Sequence, residues 1–356
     1  IIVITVIFLI SALTYIFIEK PFRNKKLVST RYFLVTVIAS YVLLISLNSS
    51  SSFISSKINN IDKYYQDLFE SGKKKETFQI QDCIDKDFLE SRVKGQIEYT
   101  FKCDFGKLSG KKIYLIGDSH MKNLAENFFI NNKDYRLKIY ITTGCFYLPG
   151  YDRRSIWTNN ITEENCSNKN MEKLKKILSS DRNSIFIFNF RPQMYIENKY
   201  YGRDTSNWDY YYKHENGDIG LDSKKFVQEY NSLLKNNNSI FLIYPTPELS
   251  FDVASEIKKL ILKEKFLNID IKERLKNLIE PYNKFYERSL RSINFYDALK
   301  HEEVIKIYPS NILCDMGSNS CKTIDENGIY YQDDNHLSMY GSKILMHKIN
   351  KMINFK

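Results

Sequence analysis

Between residues 113 and 244 the chain alternates short apolar runs with segments of helical period, and this alternation narrows the possible folds more than any other feature. Residues 113–116, 137–142, 185–190 and 240–244 are rich in Ile, Leu, Phe and Tyr and have strand length. Between them, Met171, Leu174, Ile177 and Leu178 follow the polar start 167–170 at helical spacing, and Phe226, Tyr230, Leu233 and Leu234 do the same after Asp222. Strand and helix in strict turn predict parallel βαβ units, hence an α/β sheet covered by helices on both faces.

The N-terminal region obeys a different solvent. Residues 1–18 are almost wholly apolar and residues 32–47 form a second run without a charge, near the length that crosses a hydrocarbon core. Both are expected to be membrane helices. A signal peptide is the alternative for the first, but it has no basic start and no small-residue cleavage site, and a second apolar run follows closely. Because the chain begins with Ile, we expect the C-terminal part of a longer membrane protein, or an incompletely recorded one; a complete two-span protein is the alternative. Between the runs Lys20, Arg23, Lys25, Lys26 and Arg31 face the single acid Glu19, which places that loop in the cytoplasm and everything after Leu47 outside. The expected organisation is 1–48 membrane helices, 49–77 a Ser-rich and then charged tether, and 78–356 a folded extracytoplasmic domain.

Of the formal net charge of +10, the first 57 residues account for +5, leaving a thin surplus over the rest. There Lys alternates with Asp and Glu, the pattern of a solvated face, so nucleic acid is not an expected partner. Cys83, Cys103, Cys145, Cys166, Cys314 and Cys321 all follow the second apolar run. Nearest-neighbour pairing gives Cys83 with Cys103, Cys145 with Cys166 and Cys314 with Cys321, three local loops suited to an oxidising compartment. Buried free thiols are the alternative; zinc is disfavoured because there is no Cys-x-x-Cys and no close His/Cys group.

Ligands of open α/β sheets gather beyond the carboxyl ends of the strands. The run 113–116 leads into Gly117-Asp118-Ser119-His120 and then a helical segment, which puts Ser119 in a strand-to-helix turn where the helix N–H groups can meet a developing oxyanion. The plainer reading is a capped turn in which Asp118 or Ser119 satisfies those N–H groups. More than 200 residues later, Asp333 and His336 stand three apart in Tyr330-Tyr331-Gln332-Asp333-Asp334-Asn335-His336-Leu337-Ser338. That spacing lets a carboxylate orient an imidazole whose other nitrogen faces a serine. Ser338 reads as the N-cap of a closing helix whose Ile344, Leu345, Ile349 and Met352 face the core, whereas His120, His214, His301 and His347 have no comparable arrangement.

Gly117-Asp118-Ser119-His120 together with Asp333-x-x-His336-Leu337-Ser338 resembles the SGNH hydrolase-like domain fused to membrane acyltransferases of family 3. Residues 15–23, Tyr-Ile-Phe-Ile-Glu-Lys-Pro-Phe-Arg, resemble the end of the last conserved helix of that acyltransferase domain, and Gly144-Cys145, Tyr244-Pro245-Thr246-Pro247-Glu248 and the cysteine at 314 are also similar to such domains. The resemblance implies a flavodoxin-like three-layer sandwich with a parallel sheet, preceded by two transmembrane helices in the cytoplasmic membrane. It further implies an O-acyltransferase, chiefly an O-acetyltransferase, that acts on hydroxyls of a cell-surface glycan such as O-antigen, exopolysaccharide or peptidoglycan. Ser119 would be the nucleophile, His336 the general base and Asp333 its orienting partner. The backbone N–H groups of Ser119 and Gly144, and the Asn189 side chain, would receive the oxyanion. The usual Gly-x-Asn-Asp run is replaced by Phe188-Asn189-Phe190-Arg191-Pro192, so Arg191 is an alternative to Asn189. No metal and no cofactor bound by this domain is implied; acyl-CoA, as acetyl-CoA, would be the donor through the membrane portion.

Other classes remain open. The Gly-Asp-x-His element also opens metallophosphoesterase sites, but neither Gly-Asp-x-x-Asp nor Gly-Asn-His occurs here. A carbohydrate acetyl-esterase would use the same triad, and a non-catalytic glycan-binding module would need none. Tyr195, Tyr200, Tyr201, Trp208, Tyr210, Tyr211 and Tyr212 form an aromatic-rich stretch that serves either to stack on sugar rings or to pack.

Overall fold

In a computed structural model the described residues are 91–353, other than 94, 95, 99, 108, 133, 162–165, 198–209 and 268–271, together with 15, 20, 35, 38–42, 45 and 46. The chain divides into two units, Ile1–Ile61 and Asp62–Lys356. The expected tether and most of both apolar runs lie outside the described residues. Among the described residues no helix is long and apolar enough to cross a membrane.

The second unit is built on a six-stranded sheet of β1 (Thr100–Gly106), β2 (Lys112–Gly117), β3 (Arg136–Thr142), β4 (Ile185–Asn189), β5 (Ser239–Ile243) and β6 (Val304–Ile307), in the order β6-β5-β4-β2-β3-β1. Five strands are parallel, and β1 closes one edge antiparallel to β3. Chain order reverses between β2 and β4, so the crevice at the end of β2 is the switch point where such sheets place their ligands. The four expected strands are all present. β1 and β6 are additions to that reading, and both are edge strands: β1 spells Thr-Phe-Lys-Cys-Asp-Phe-Gly and β6 spells Val-Ile-Lys-Ile, so charged residues break the apolar run that marks a strand buried on both faces.

The helices that bear on the site are α1 (Ser119–Asn131), α2 (Asn168–Ser180), α3 (Ser223–Leu233), α4 (Val253–Leu267), α5 (Tyr282–Asp297) and α6 (Met339–Ile353). On one face of the sheet Tyr114, Phe186, Phe188, Ile240 and Leu242 join Leu178 of α2, Phe226 and Tyr230 of α3 and Phe295 and Tyr296 of α5 in one buried cluster. Alternate residues of the same strands, Ile113, Leu115, Ile187 and Phe241, turn to the opposite face and are equally buried. Helices α1 and α6 pack against each other, burying Leu124, Phe128, Leu345 and Ile349. Side chains stitch the pair: Asn127 Nδ2 donates to the Met339 carbonyl at 3.1 Å and Asn132 Nδ2 to Asn350 Oδ1 at 3.1 Å.

Two of the three expected disulfides are present, Cys145–Cys166 and Cys314–Cys321; the third involves Cys83, outside the described residues. Ser338 caps α6 as expected, its Oγ accepting from the Gly341 N–H at 3.1 Å and donating to the Ile329 carbonyl.

Candidate active site

Strand β2 ends at Gly117 and α1 begins at Ser119, with Asp118 between them as N-cap. Gly117 lies so close to β4 that a Cβ there would collide with the Asn189 carbonyl oxygen and the Met121 side chain. Gly117→Ala should therefore push β2 from β4 and cost on the order of 1–3 kcal/mol, read from the urea midpoint. An unchanged midpoint would show that the turn yields.

The turn presents Ser119 to a loop 217 positions away, carried by the start of α6. His336 Nε2 lies 2.8 Å from Ser119 Oγ, and His336 Nδ1 lies 2.8 Å from Asp333 Oδ2. The other carboxylate oxygen accepts the backbone N–H groups of Asn335 at 2.8 Å and His336 at 2.7 Å, so Asp333 folds its own loop around the imidazole it holds. That loop is fastened to the segment after β5 by the Leu249 N–H, which donates to the Asp334 carbonyl at 2.8 Å. Burial acts to raise the Asp333 carboxyl, but the hydrogen bond and charge of His336 hold it at about 2. Burial acts to lower the His336 imidazole, but the hydrogen bond and charge of Asp333 outweigh it and leave the ring above its ordinary value. Asp333 is thus ionised at neutral pH and its partner ring is a stronger base than a free histidine.

Around this line the expected oxyanion residues are fixed in different ways. No acceptor for the Ser119 N–H falls among the described residues, while its neighbour His120 donates its own N–H to Asp118 Oδ1 at 2.9 Å. Gly144 adopts φ of +67°, a left-handed turn conformation that suits glycine. Its carbonyl accepts from the wholly buried Arg153 at 2.6 Å, and the Cys145–Cys166 disulfide and the Tyr212 hydroxyl, which accepts the Phe146 N–H at 2.7 Å, anchor the following residues. Asn189 is buried at the end of β4, where Nδ2 gives one hydrogen to the His120 carbonyl at 2.9 Å and so ties the strand to the first turn of α1. Arg191 is drawn into a buried ion-pair group: its Nε meets Glu248 Oε1 at 2.7 Å, and Arg288 meets Glu248 Oε2 at 2.6 Å. Among the described residues no group of His, Cys, Asp or Glu is arranged to hold a metal ion.

Residues 87–351 match the family model described as the SGNH domain fused to AT3 domains. The chain belongs to this SGNH family. Among solved structures it is similar to the periplasmic domain of the lipopolysaccharide acetyltransferase of Salmonella ser. Paratyphi A, at 16% identity and a TM-score of 0.42 over 69% of this chain and 85% of that one. No curated protein matches it.

Four features of this SGNH domain are not apparent from its motifs. Asp118 both caps α1 and, through Oδ2, accepts the Arg191 N–H at 2.9 Å and the Tyr195 hydroxyl at 2.7 Å, so it joins the exits of β2 and β4. Its burial pushes the carboxyl up against the lowering effect of those donors. Tyr195 and Tyr212 are consequently packing residues with committed hydroxyls rather than a sugar platform, and Tyr200, Tyr201 and Trp208 of the same stretch lie outside the described residues. Glu248 is the third; the only hint in sequence is an acid in a Pro-Thr-Pro-Glu run directly after a buried strand. His120, set aside on sequence, lies beside His336 with ring centroids 4.7 Å apart.

Proposed function

We propose that this SGNH domain is an extracytoplasmic O-acyltransferase, using acetyl groups in the first instance, that acts on hydroxyls of a cell-surface polysaccharide. The observation that carries the reading is the hydrogen-bonded line Ser119–His336–Asp333 at the switch point of the sheet. As Ser119 Oγ attacks the acyl carbonyl, His336 Nε2 takes its proton, and the same proton then leaves with the departing group. The acyl-serine is resolved by a sugar hydroxyl with His336 again as base. Asp333 holds the ring with Nδ1–H towards its carboxylate and stabilises the imidazolium formed in each half-reaction. The Ser119 and Gly144 N–H groups and the second Nδ2 hydrogen of Asn189 receive the oxyanion; each such donor contributes about 2.7–4 kcal/mol in other acyl-transfer enzymes. The fusion of this family to AT3 domains supports transfer, with acyl-CoA as donor in the cytoplasm and a membrane portion passing the acyl group outward. Disulfides in the domain support its placement outside the cytoplasm.

Intact-mass measurement of the full chain after brief exposure to an activated acetyl ester tests the reading. An acetyl adduct in the parent chain, absent from Ser119→Ala and discharged onto added glycan, is the expected result. Discharge to water alone, whatever glycan is offered, would make the domain an esterase. No Ser119-dependent adduct would overturn covalent catalysis.

A further inference from the structure

The nucleophile and the base each have an immediate neighbour in the chain, and these two neighbours also meet. His120 follows Ser119 in the first turn of α1, Asn335 precedes His336 in the loop before α6, and His120 Nε2 lies 3.1 Å from Asn335 Oδ1. Asn335 Nδ2 is turned away, donating to Asp334 Oδ1 at 2.8 Å, so the oxygen faces the ring and His120 is the donor. Both side chains are buried, at 8% and 5% exposure. The same two segments are thus cross-linked twice, by Ser119–His336 at 2.8 Å and beside it by His120–Asn335.

We infer that His120 and Asn335 form a positioning pair that sets the approach of His336 to Ser119; the inference rests on the acyl-serine reading. The loop that carries His336 is also tied towards the exit of β5, through Leu249 and Asp334. Asn335 is doubly suited to the task, because its backbone N–H also binds Asp333 Oδ1 and its side chain therefore reports on the same loop that aims the imidazole. His120 suits it because burial, then the charge of His336, hold its imidazole well below its ordinary value. It stays neutral, keeps Nε2–H as a donor, and offers no second positive charge when His336 takes up a proton beside it. Near-attack geometry is steep in distance: a misplacement of about 1 Å costs roughly 10²-fold in rate.

The test is the rate at which an aryl methylphosphonate ester labels Ser119 in the full chain, followed by release of the aryl alcohol and by intact mass. His120→Phe keeps the ring volume and removes the donor; Asn335→Leu removes the acceptor; His120→Gln keeps a donor near the Nε2 position. Labelling should slow about 10²-fold in His120→Phe and in Asn335→Leu, and the double variant should be no slower than either single one. With an activated acetyl ester the loss should fall on kcat with KM unchanged, and His120→Gln should recover most of the rate. Labelling of His120→Phe within about threefold of the parent, additive losses in the double variant, or a His120→Gln as slow as His120→Phe would each overturn the pair. A parent chain that forms no Ser119 adduct would instead overturn the acyl-serine reading and this inference with it.

Discussion

His336→Ala should lower turnover by roughly 10⁶-fold and Asp333→Asn by about 10⁴-fold, with the fold of both variants intact. The difference in size follows from what each residue does. In the proposed mechanism, without His336 nothing takes the Ser119 proton, whereas without the Asp333 charge the imidazole remains but loses the partner that selects its tautomer and stabilises its protonated form. The pH dependence separates the two further. The base works only when neutral, and Asp333 raises its ordinary value, so activity should fall as pH drops through a point above that of a free histidine. In Asp333→Asn the raising cause is gone while burial still lowers the ring, and the acid limb should move to lower pH. Profiles of kcat/KM across pH 4 to pH 9 check this. An acid limb unmoved in Asp333→Asn, or a loss below about tenfold, would mean that Asp333 does not orient the base.

Glu248→Ala should destabilise the domain by about 3–5 kcal/mol, because it removes the carboxylate that pairs with both the buried Arg191 and the part-buried Arg288. The sign of its pH dependence is fixed by the direction of the shift. Burial raises the Glu248 carboxyl, but Arg191 and Arg288 outweigh it and leave it below its ordinary value. The group therefore contributes stability that is present above the carboxylate range of the unfolded chain and is lost as pH falls through the lower folded value. Urea midpoints of the parent and Glu248→Gln, compared from pH 7 downward, should converge as the parent loses this contribution. A Glu248→Ala chain within about 1 kcal/mol of the parent would show that the two arginines find other acceptors. Since the backbone N–H of Arg191 also binds Asp118, loosening this group is expected to disturb the turn that holds Ser119 as well.

The legible parts of the fold are those whose signal is local. Strands β2, β4 and β5 are buried on both faces and so read as unbroken apolar runs, and the residues that follow them include the Gly-Asp-Ser-His element. Asp333 and His336 are legible for a similar reason: three residues apart, they carry their relation in the sequence itself. β1 and β6 are less so, because an edge strand tolerates charge and loses the run. Asp118 with Tyr195, Glu248 with Arg288 and His120 with Asn335 are contacts between residues 77, 40 and 215 positions apart, created by strand order and helix packing. No spacing rule reaches that far. The aromatic stretch shows the converse, since Tyr195 and Tyr212 resemble sugar-stacking residues in composition and prove to be buried anchors.

The order in which a ribosome delivers this chain gives the packing of α1 against α6 a temporal meaning. Ser119 emerges 217 residues before His336, which lies in the loop that leads into α6. Until α6 docks, through Leu345, Ile349 and the Asn127 and Asn132 bonds, the serine has neither its base nor the loop that aims it. A partly synthesised domain that lacks α6 therefore holds Ser119 apart from the imidazole that faces it in the finished fold, and the line Ser119–His336–Asp333 forms only when α6 closes on α1.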